Sequence, residues 1–305
     1  MLLLFPGQGL QFVGMGQALA AQVPEAKVVF QEADDALGFS LSRLCWEGPE
    51  AELTRTEFAQ PAILTHAIAA LRAAETRMDL QVSAAAGHSL GEWTALVAAG
   101  ALDLAPAVQL VRKRGQLMQE AVPQGEGAMS TILGLEREAI EAACLEAAQG
   151  DVVVCATHND ASHCVISGHS AAVERAAALC LERGAMRVVP LPVSAPFHSP
   201  LMVPAALRLR EALEGVQFRA PKLPIRSTVV DGFITPDTDL RELLVLQMTA
   251  PVLWQEAIAA LAQAGATKAL ALGPAAAVPG LVKRTARGLK TIVVSEPADL
   301  EKLAG

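Results

Sequence analysis

The pentapeptide Gly87-His88-Ser89-Leu90-Gly91 constrains this chain more than any other segment. It follows the apolar run Val82–Ala86 and precedes a helical pattern opening at Glu92. A strand that turns through G-x-S-x-G into a helix forms a nucleophile elbow, which projects a serine Oγ beyond the end of a sheet. The helix start behind that serine offers free N–H groups to a developing oxyanion. Glycine is needed on both sides because the turn is sharp and neighbouring chain packs close. Ser89 is therefore the candidate nucleophile, and a sheet must stand behind it.

The rest of the chain supplies that sheet. Leu2–Phe5 and Ala269–Leu272 are short apolar runs ending at Pro or Gly, separated by helical patterns at Ala59–Glu75, Glu92–Ala101 and Pro106–Glu120. Short apolar strands alternating with helices predict an α/β fold, a hydrolase-like core with a largely parallel sheet. One segment has another rhythm. Met129–Leu133 reads as a strand, Glu136–Gln149 as a helix, Val152–His158 and His163–Ser167 as strands joined by a turn at Asn159–Ser162, Ala171–Arg183 as a helix and Met186–Leu191 as a strand. This βαββαβ order is that of an inserted ferredoxin-like subdomain. Residues 1–124 and 192–305 are expected to form the body, and 125–191 the small subdomain.

Composition removes whole classes of function. Apolar residues make up 52% of 305 and charged ones 18%, with net charge -8. Disorder needs the opposite balance, and a nucleic-acid surface needs excess base. The longest stretch free of Asp, Glu, Lys and Arg, Val188–Leu207, is broken by Pro190, Pro192, Pro196, Pro200 and Pro204, so no spanning helix is expected from it. The N-terminal MLLLFPGQG lacks a basic region before its apolar run. Cys45, Cys144, Cys155, Cys164 and Cys180 are odd in number and contain no C-x-x-C pair, which predicts reduced thiols rather than disulfides or a metal site. A cytoplasmic protein with no membrane or nucleic-acid partner is expected.

A serine nucleophile needs a base. His88 adjoins Ser89 and should point away from it, in a structural role. His66 lies on a helix, and His163 and His169 lie in the insert. His198 sits in the Pro-bracketed loop Val193-Ser194-Ala195-Pro196-Phe197-His198, on the kind of rigid loop where catalytic side chains concentrate. An ordinary α/β-hydrolase places its acid and histidine late, yet more than 100 residues follow His198 and no Asp stands ready to orient it. A Ser–His pair oriented by something other than a carboxylate is expected. The Gly-rich loop Phe5–Gln11 is either a second source of oxyanion N–H or a plain turn. On spacing alone, Arg112-Lys113-Arg114-Gly115 reads as a solvated helix face.

In order along nearly the whole chain, these segments resemble the malonyl-CoA:acyl carrier protein transacylase family. The resemblance rests on Phe5-Pro6-Gly7-Gln8-Gly9, Gln60-Pro61-Ala62, Gly87–Gly91, Arg114-Gly115 with Met118-Gln119 and Gly127-Ala128-Met129, Val193–His198, Gln247 with Pro251-Val252 and Trp254, and Gly273-Pro274. It implies ping-pong transfer of malonyl from malonyl-CoA to the phosphopantetheine thiol of acyl carrier protein, with no bound cofactor. Ser89 would be acylated and His198 would act as its base, oriented by a main-chain carbonyl near Gln247. The N–H groups of Gln8 and Leu90 would form the oxyanion hole. Arg114 would clamp the malonyl carboxylate, with Gln60, Gln247, Phe197 and Asn159 lining the substrate site. The Phe197 ring would leave little room for a 2-methyl branch. Thr157-His158-Asn159-Asp160-Ala161 departs from the family's N-x-N-S-P, and Ala275 from its G-P-G turn. Carrier docking falls to Lys283, Arg284 and Arg287. The alternatives are a serine thioesterase or hydrolase, or a malonyltransferase subunit of a malonate decarboxylase or polyketide system.

Overall fold

The computed structural model describes residues 1–193 and 195–303. Among these the strands are β1 (Leu2–Phe5), β2 (Ala84–Gly87), β3 (Gly127–Leu133), β4 (Val153–Asp160), β5 (His163–His169), β6 (Arg187–Pro190), β7 (Ile225–Arg226), β8 (Phe233–Ile234), β9 (Lys268–Leu272) and β10 (Lys290–Val294). They form a six-stranded sheet ordered β10-β9-β1-β2-β7-β8 and a four-stranded sheet ordered β4-β5-β3-β6. The first is parallel from β10 to β7, and only β8 at its edge runs antiparallel.

Side chains alternate across a strand, so a continuous apolar run must bury both faces. Leu3, Phe5, Ala85, Leu270 and Leu272 enter one core with the helix Thr56–Glu75. Leu2, Leu4, Ala84, Ala86, Ala269 and Ala271 enter the other, against Trp254 and Ile258. The helix Thr56–Glu75 is apolar nearly all round because it lies between the sheet and the helices Pro24–Leu37 and Leu104–Glu120. Ser89 caps the helix Leu90–Ala98, which begins two residues earlier than the sequence pattern indicated. Among the described residues, no helix is long and apolar enough to cross a membrane.

Parallel pairing decides where the chemistry sits. Phe5 lies opposite Gly87 at the carboxyl ends of β1 and β2, so the loop bearing Gln8 and the turn bearing Ser89 leave the sheet side by side. The elbow glycines are fixed by close approach. A Cβ on Gly87 would lie 1.9 Å from the carbonyl carbon of Gly91, and one on Gly91 would lie 2.3 Å from the Phe5 carbonyl oxygen. Both obstacles are backbone and cannot rotate aside. Gly91→Ala is expected to cost about 2–4 kcal/mol, read as a lower urea midpoint, while Gly288→Ala, with open space around it, stays near wild type.

The second sheet is antiparallel throughout and falls between β2 and β7 in the chain, with the helices Arg137–Ala148 and Ser170–Glu182 packed on it. Its strand order is the ferredoxin-like one. Its core holds Ile132, Ile140, Cys144, Val153, Cys164, Ile166, Val173 and Cys180. Its element boundaries differ from the sequence pattern by one or two residues, and one of these shifts relocates a candidate site residue. β4 runs on through Asp160, so Asn159 belongs to the strand, and only Ala161 and Ser162 separate it from β5. Side-chain bonds hold this end in place, because Asn159 meets His88 and Asp160 pairs with Arg284. The loop residue Val252 of the body also bridges to β4, where its N–H donates to the Ala156 carbonyl (2.9 Å) and its carbonyl accepts from the His158 N–H (2.8 Å).

Candidate active site

Ser89 has φ 51° and ψ -106°, a conformation that L-residues rarely adopt. An N-cap serine ordinarily turns its hydroxyl onto its own helix. Here the Oγ makes no capping bond and faces the His198 ring, 2.8 Å from Nε2. The His198 Nδ1–H donates to the Gln247 carbonyl at 2.9 Å, with the Ala250 carbonyl at 3.2 Å. Two main-chain oxygens therefore occupy the place of the missing Asp. They fix the tautomer that leaves Nε2 as the acceptor for the serine proton. Ser194, in the loop before this histidine, lies outside the described residues.

Burial, then the positive charge of Arg114 and the neighbouring His88, pull the His198 pKa down to about 3. The imidazole of the free protein is therefore neutral and ready as a base at any pH well above 3. The kcat/KM profile is expected to show no acid limb between pH 6 and 7. An anionic acyl group beside Arg114 removes part of the depressing charge, so the kcat profile, which reports the substrate complex, should place its acid limb higher. An acid limb near pH 6.5 in kcat/KM contradicts this environment.

Arg114 is 1% exposed. Its Nη1 donates to Gln60 Oε1 (2.8 Å), and its Nη2 to Ser89 Oγ (3.1 Å) and Gln247 Oε1 (3.2 Å). Burial lowers its pKa to about 10 against the opposing pull of Glu92, so it stays charged at neutral pH. The solvated-face reading of the basic cluster holds only for Lys113. Arg112 is half-buried, with its guanidinium 4.8 Å from the Phe39 ring centroid, and Arg114 turns fully inward. Gly115 explains the inward turn. A Cβ there would lie 2.6 Å from the Thr56 carbonyl oxygen, so the helix Leu104–Glu120 meets Thr56–Glu75 at a contact only glycine permits.

Gln60 passes the network on to Gln8, whose Oε1 lies 3.5 Å from the Gln60 Nε2. The N–H groups of Gln8 and Leu90 meet no acceptor among the described residues. Phe197, next to His198, is buried in the main core. His88 does point away from Ser89. Its Nε2 is hydrogen-bonded to Asn159 Oδ1 (2.9 Å), and its ring tilts against Trp254. Asn159 thus holds the ring of the residue before Ser89. Its Nδ2 continues to His163 (3.3 Å), and His163 to Arg284 (3.3 Å). Lys283, Arg284 and Arg287 are all exposed, and Arg284 is ion-paired with Asp160.

Two residues of the site escaped the sequence. Glu92, fully buried, accepts from Gln247 Nε2 (2.6 Å) and from the Thr228 N–H (3.2 Å). Trp93 Nε1 donates to Gln247 Oε1 (3.0 Å). A charged residue just past the elbow inside an apolar helix was the available signal.

Comparison with known proteins identifies the family. Residues 2–301 match the family model described as acyl transferase domain. The chain is 46% identical over 299 residues to a malonyl CoA-acyl carrier protein transacylase of Bacillus subtilis (strain 168), covering 98% of this chain and 94% of that protein. Its counterpart in Escherichia coli (strain K12) is 43% identical over 295 residues, covering 97% and 96%. The solved transacylase of Coxiella burnetii superposes with a TM-score of 0.96 at 40% identity, covering 99% of this chain and 95% of that one. A malonyl-transacylase solved in complex with its type II PKS acyl-carrier protein gives 0.96 at 41%, covering 99% and 98%. The chain belongs to the acyl transferase domain family and, within it, to the malonyl CoA-acyl carrier protein transacylases.

Proposed function

We propose that this protein transfers a malonyl group from malonyl-CoA to the phosphopantetheine thiol of an acyl carrier protein, through a malonyl ester on Ser89. The observation that carries this is the guanidinium of Arg114, 1% exposed and 3.1 Å from the nucleophilic Oγ. A general thioesterase gains nothing from a buried cation there. An acyl group ending in a carboxylate needs one, and the planar fork of arginine matches it.

The steps follow from the bonds already described. His198 Nε2 accepts the Ser89 proton as Oγ attacks the thioester carbonyl. The Gln8 and Leu90 N–H groups receive the oxyanion. As the tetrahedral adduct collapses, the C–S bond breaks and the coenzyme A sulfur takes the proton from His198. The carrier thiol then gives its proton to His198 and attacks the malonyl ester, and Ser89 is reprotonated as it leaves. During acyl transfer Arg114 holds the carboxylate, with Gln60 and Gln247 keeping the guanidinium in place. Phe197 narrows the space for a branched acyl group. Asn159 supports the elbow through His88, and the exposed Lys283, Arg284 and Arg287 offer an acidic carrier its docking charge.

Residues 125–191 form a small subdomain on a body made of 1–124 and 192–305. Malonyl-CoA is a substrate, and no bound cofactor takes part. Five free thiols and a coenzyme A thioester substrate support a cytoplasmic setting.

Intact mass spectrometry tests the proposal. Incubation with malonyl-CoA should add one malonyl group, mapped to Ser89, and holo carrier protein should then remove it with matching gain on the carrier. Rapid hydrolysis to malonate, unaffected by the carrier, would mean a thioesterase instead.

A further inference from the structure

Glu92 is fully buried, and no cation lies within ion-pair distance of it among the described residues. Arg114 is likewise buried without a carboxylate partner. Two lone buried charges are each costly. One side chain lies between them. Gln247 Nε2 donates to Glu92 Oε2 (2.6 Å) and to the Ser89 carbonyl (3.2 Å), while its Oε1 accepts from Trp93 Nε1 and Arg114 Nη2. With the amide flipped, its NH2 would face two donors and its oxygen would face two acceptors. Only one orientation satisfies all four partners. The backbone carbonyl of the same residue accepts from the His198 Nδ1–H.

We infer that Glu92 is a positioning residue and the counter-charge of Arg114, acting through Gln247 on both the clamp and the base. The inference rests on Arg114 being the malonyl clamp. Its consequences concern affinity. With Glu92 ionised the empty site carries no net buried charge, and an arriving carboxylate meets a guanidinium whose field is partly cancelled. Burial pushes the Glu92 carboxyl above its ordinary range, against which its donors, Gln247 and the Thr228 N–H among them, and the charge of Arg114 pull toward the ionised form. The counter-charge keeps the clamp from binding anionic groups too tightly, and ground-state binding of that kind does not speed the chemical step.

Glu92→Gln keeps an oxygen to accept from Gln247 and removes the charge. Its KM for malonyl-CoA is expected to fall about three- to tenfold, with the KM for acetyl-CoA unchanged. Its kcat should fall about two- to fivefold with both thioesters, because the new amide brings donors of its own. Glu92→Leu frees the Gln247 amide and should lower kcat about tenfold with both. If that variant does not fold, the KM pattern of Glu92→Gln decides. In Arg114→Ala/Glu92→Gln the malonyl-specific KM change must vanish, since the charge acts through the clamp. An unchanged or raised malonyl-CoA KM in Glu92→Gln overturns the inference, as does a KM change shared equally with acetyl-CoA or one that survives in the double variant. If Arg114→Ala alone leaves malonyl transfer untouched, it is the clamp that fails.

Discussion

Ser89→Ala should remove malonyl transfer almost completely, lowering kcat by about 10⁴-fold or more and giving no malonyl adduct by intact mass. The substitution deletes the atom proposed to take the acyl group, while Arg114, Gln60 and Gln247 keep their mutual bonds. Malonyl-CoA binding should therefore survive, with a Kd within a few fold of wild type. His198→Ala added to Ser89→Ala should cost little more, because a base 2.8 Å from Oγ has no task once that oxygen is gone. Stability offers a separate check. Position 89 sits at φ 51°, where a Cβ is strained, so Ser89→Gly should raise stability by about 1 kcal/mol while abolishing turnover as fully. A Ser89→Ala protein that still forms a malonyl ester would move the nucleophile elsewhere.

Much of this site is local in sequence and so could be read there. The elbow is a strand, a turn and a helix within about fifteen residues, and its glycines are demanded by contacts as short as 1.9 Å. The ferredoxin-like order of β3 to β6 followed from the apolar rhythm of one continuous segment. What the residues by themselves did not show depends on partners distant in the chain, and for Arg114 and the orienting carbonyl only the family resemblance supplied it. Arg114 on its own helix is one of three adjacent cations, and solvent exposure was the reasonable expectation for all of them. Only the packing of Gly115 against Thr56 turns the guanidinium inward. Glu92 reads as a polar interruption of an apolar helix until Thr228 and Gln247 close around it from over 130 residues away. The substitute for the missing Asp could not be found by searching for a side chain, because it is a pair of backbone carbonyls.

Arg114→Ala should change what the site selects more than whether it works. Two charge-assisted bonds to a carboxylate contribute roughly 3–5 kcal/mol together, so kcat/KM for malonyl-CoA should fall about 10²- to 10⁴-fold. Acetyl-CoA has no carboxylate to lose and should keep its kcat/KM within a few fold. The malonyl-to-acetyl preference then collapses, and the ratio of the two kcat/KM values measures it directly. Arg114→Lys separates charge from geometry. An ammonium keeps the charge but cannot reach Gln60 Oε1, Ser89 Oγ and Gln247 Oε1 with one rigid fork, so recovery should be partial, about tenfold. Burial still holds the His198 pKa down in Arg114→Ala, but removing the guanidinium relieves the next-largest cause, so the acid limb of kcat/KM for acetyl-CoA should lie above its wild-type position. That shift and the loss of preference arise from one cation, and a variant showing only the first would place Arg114 beside the base without giving it the carboxylate.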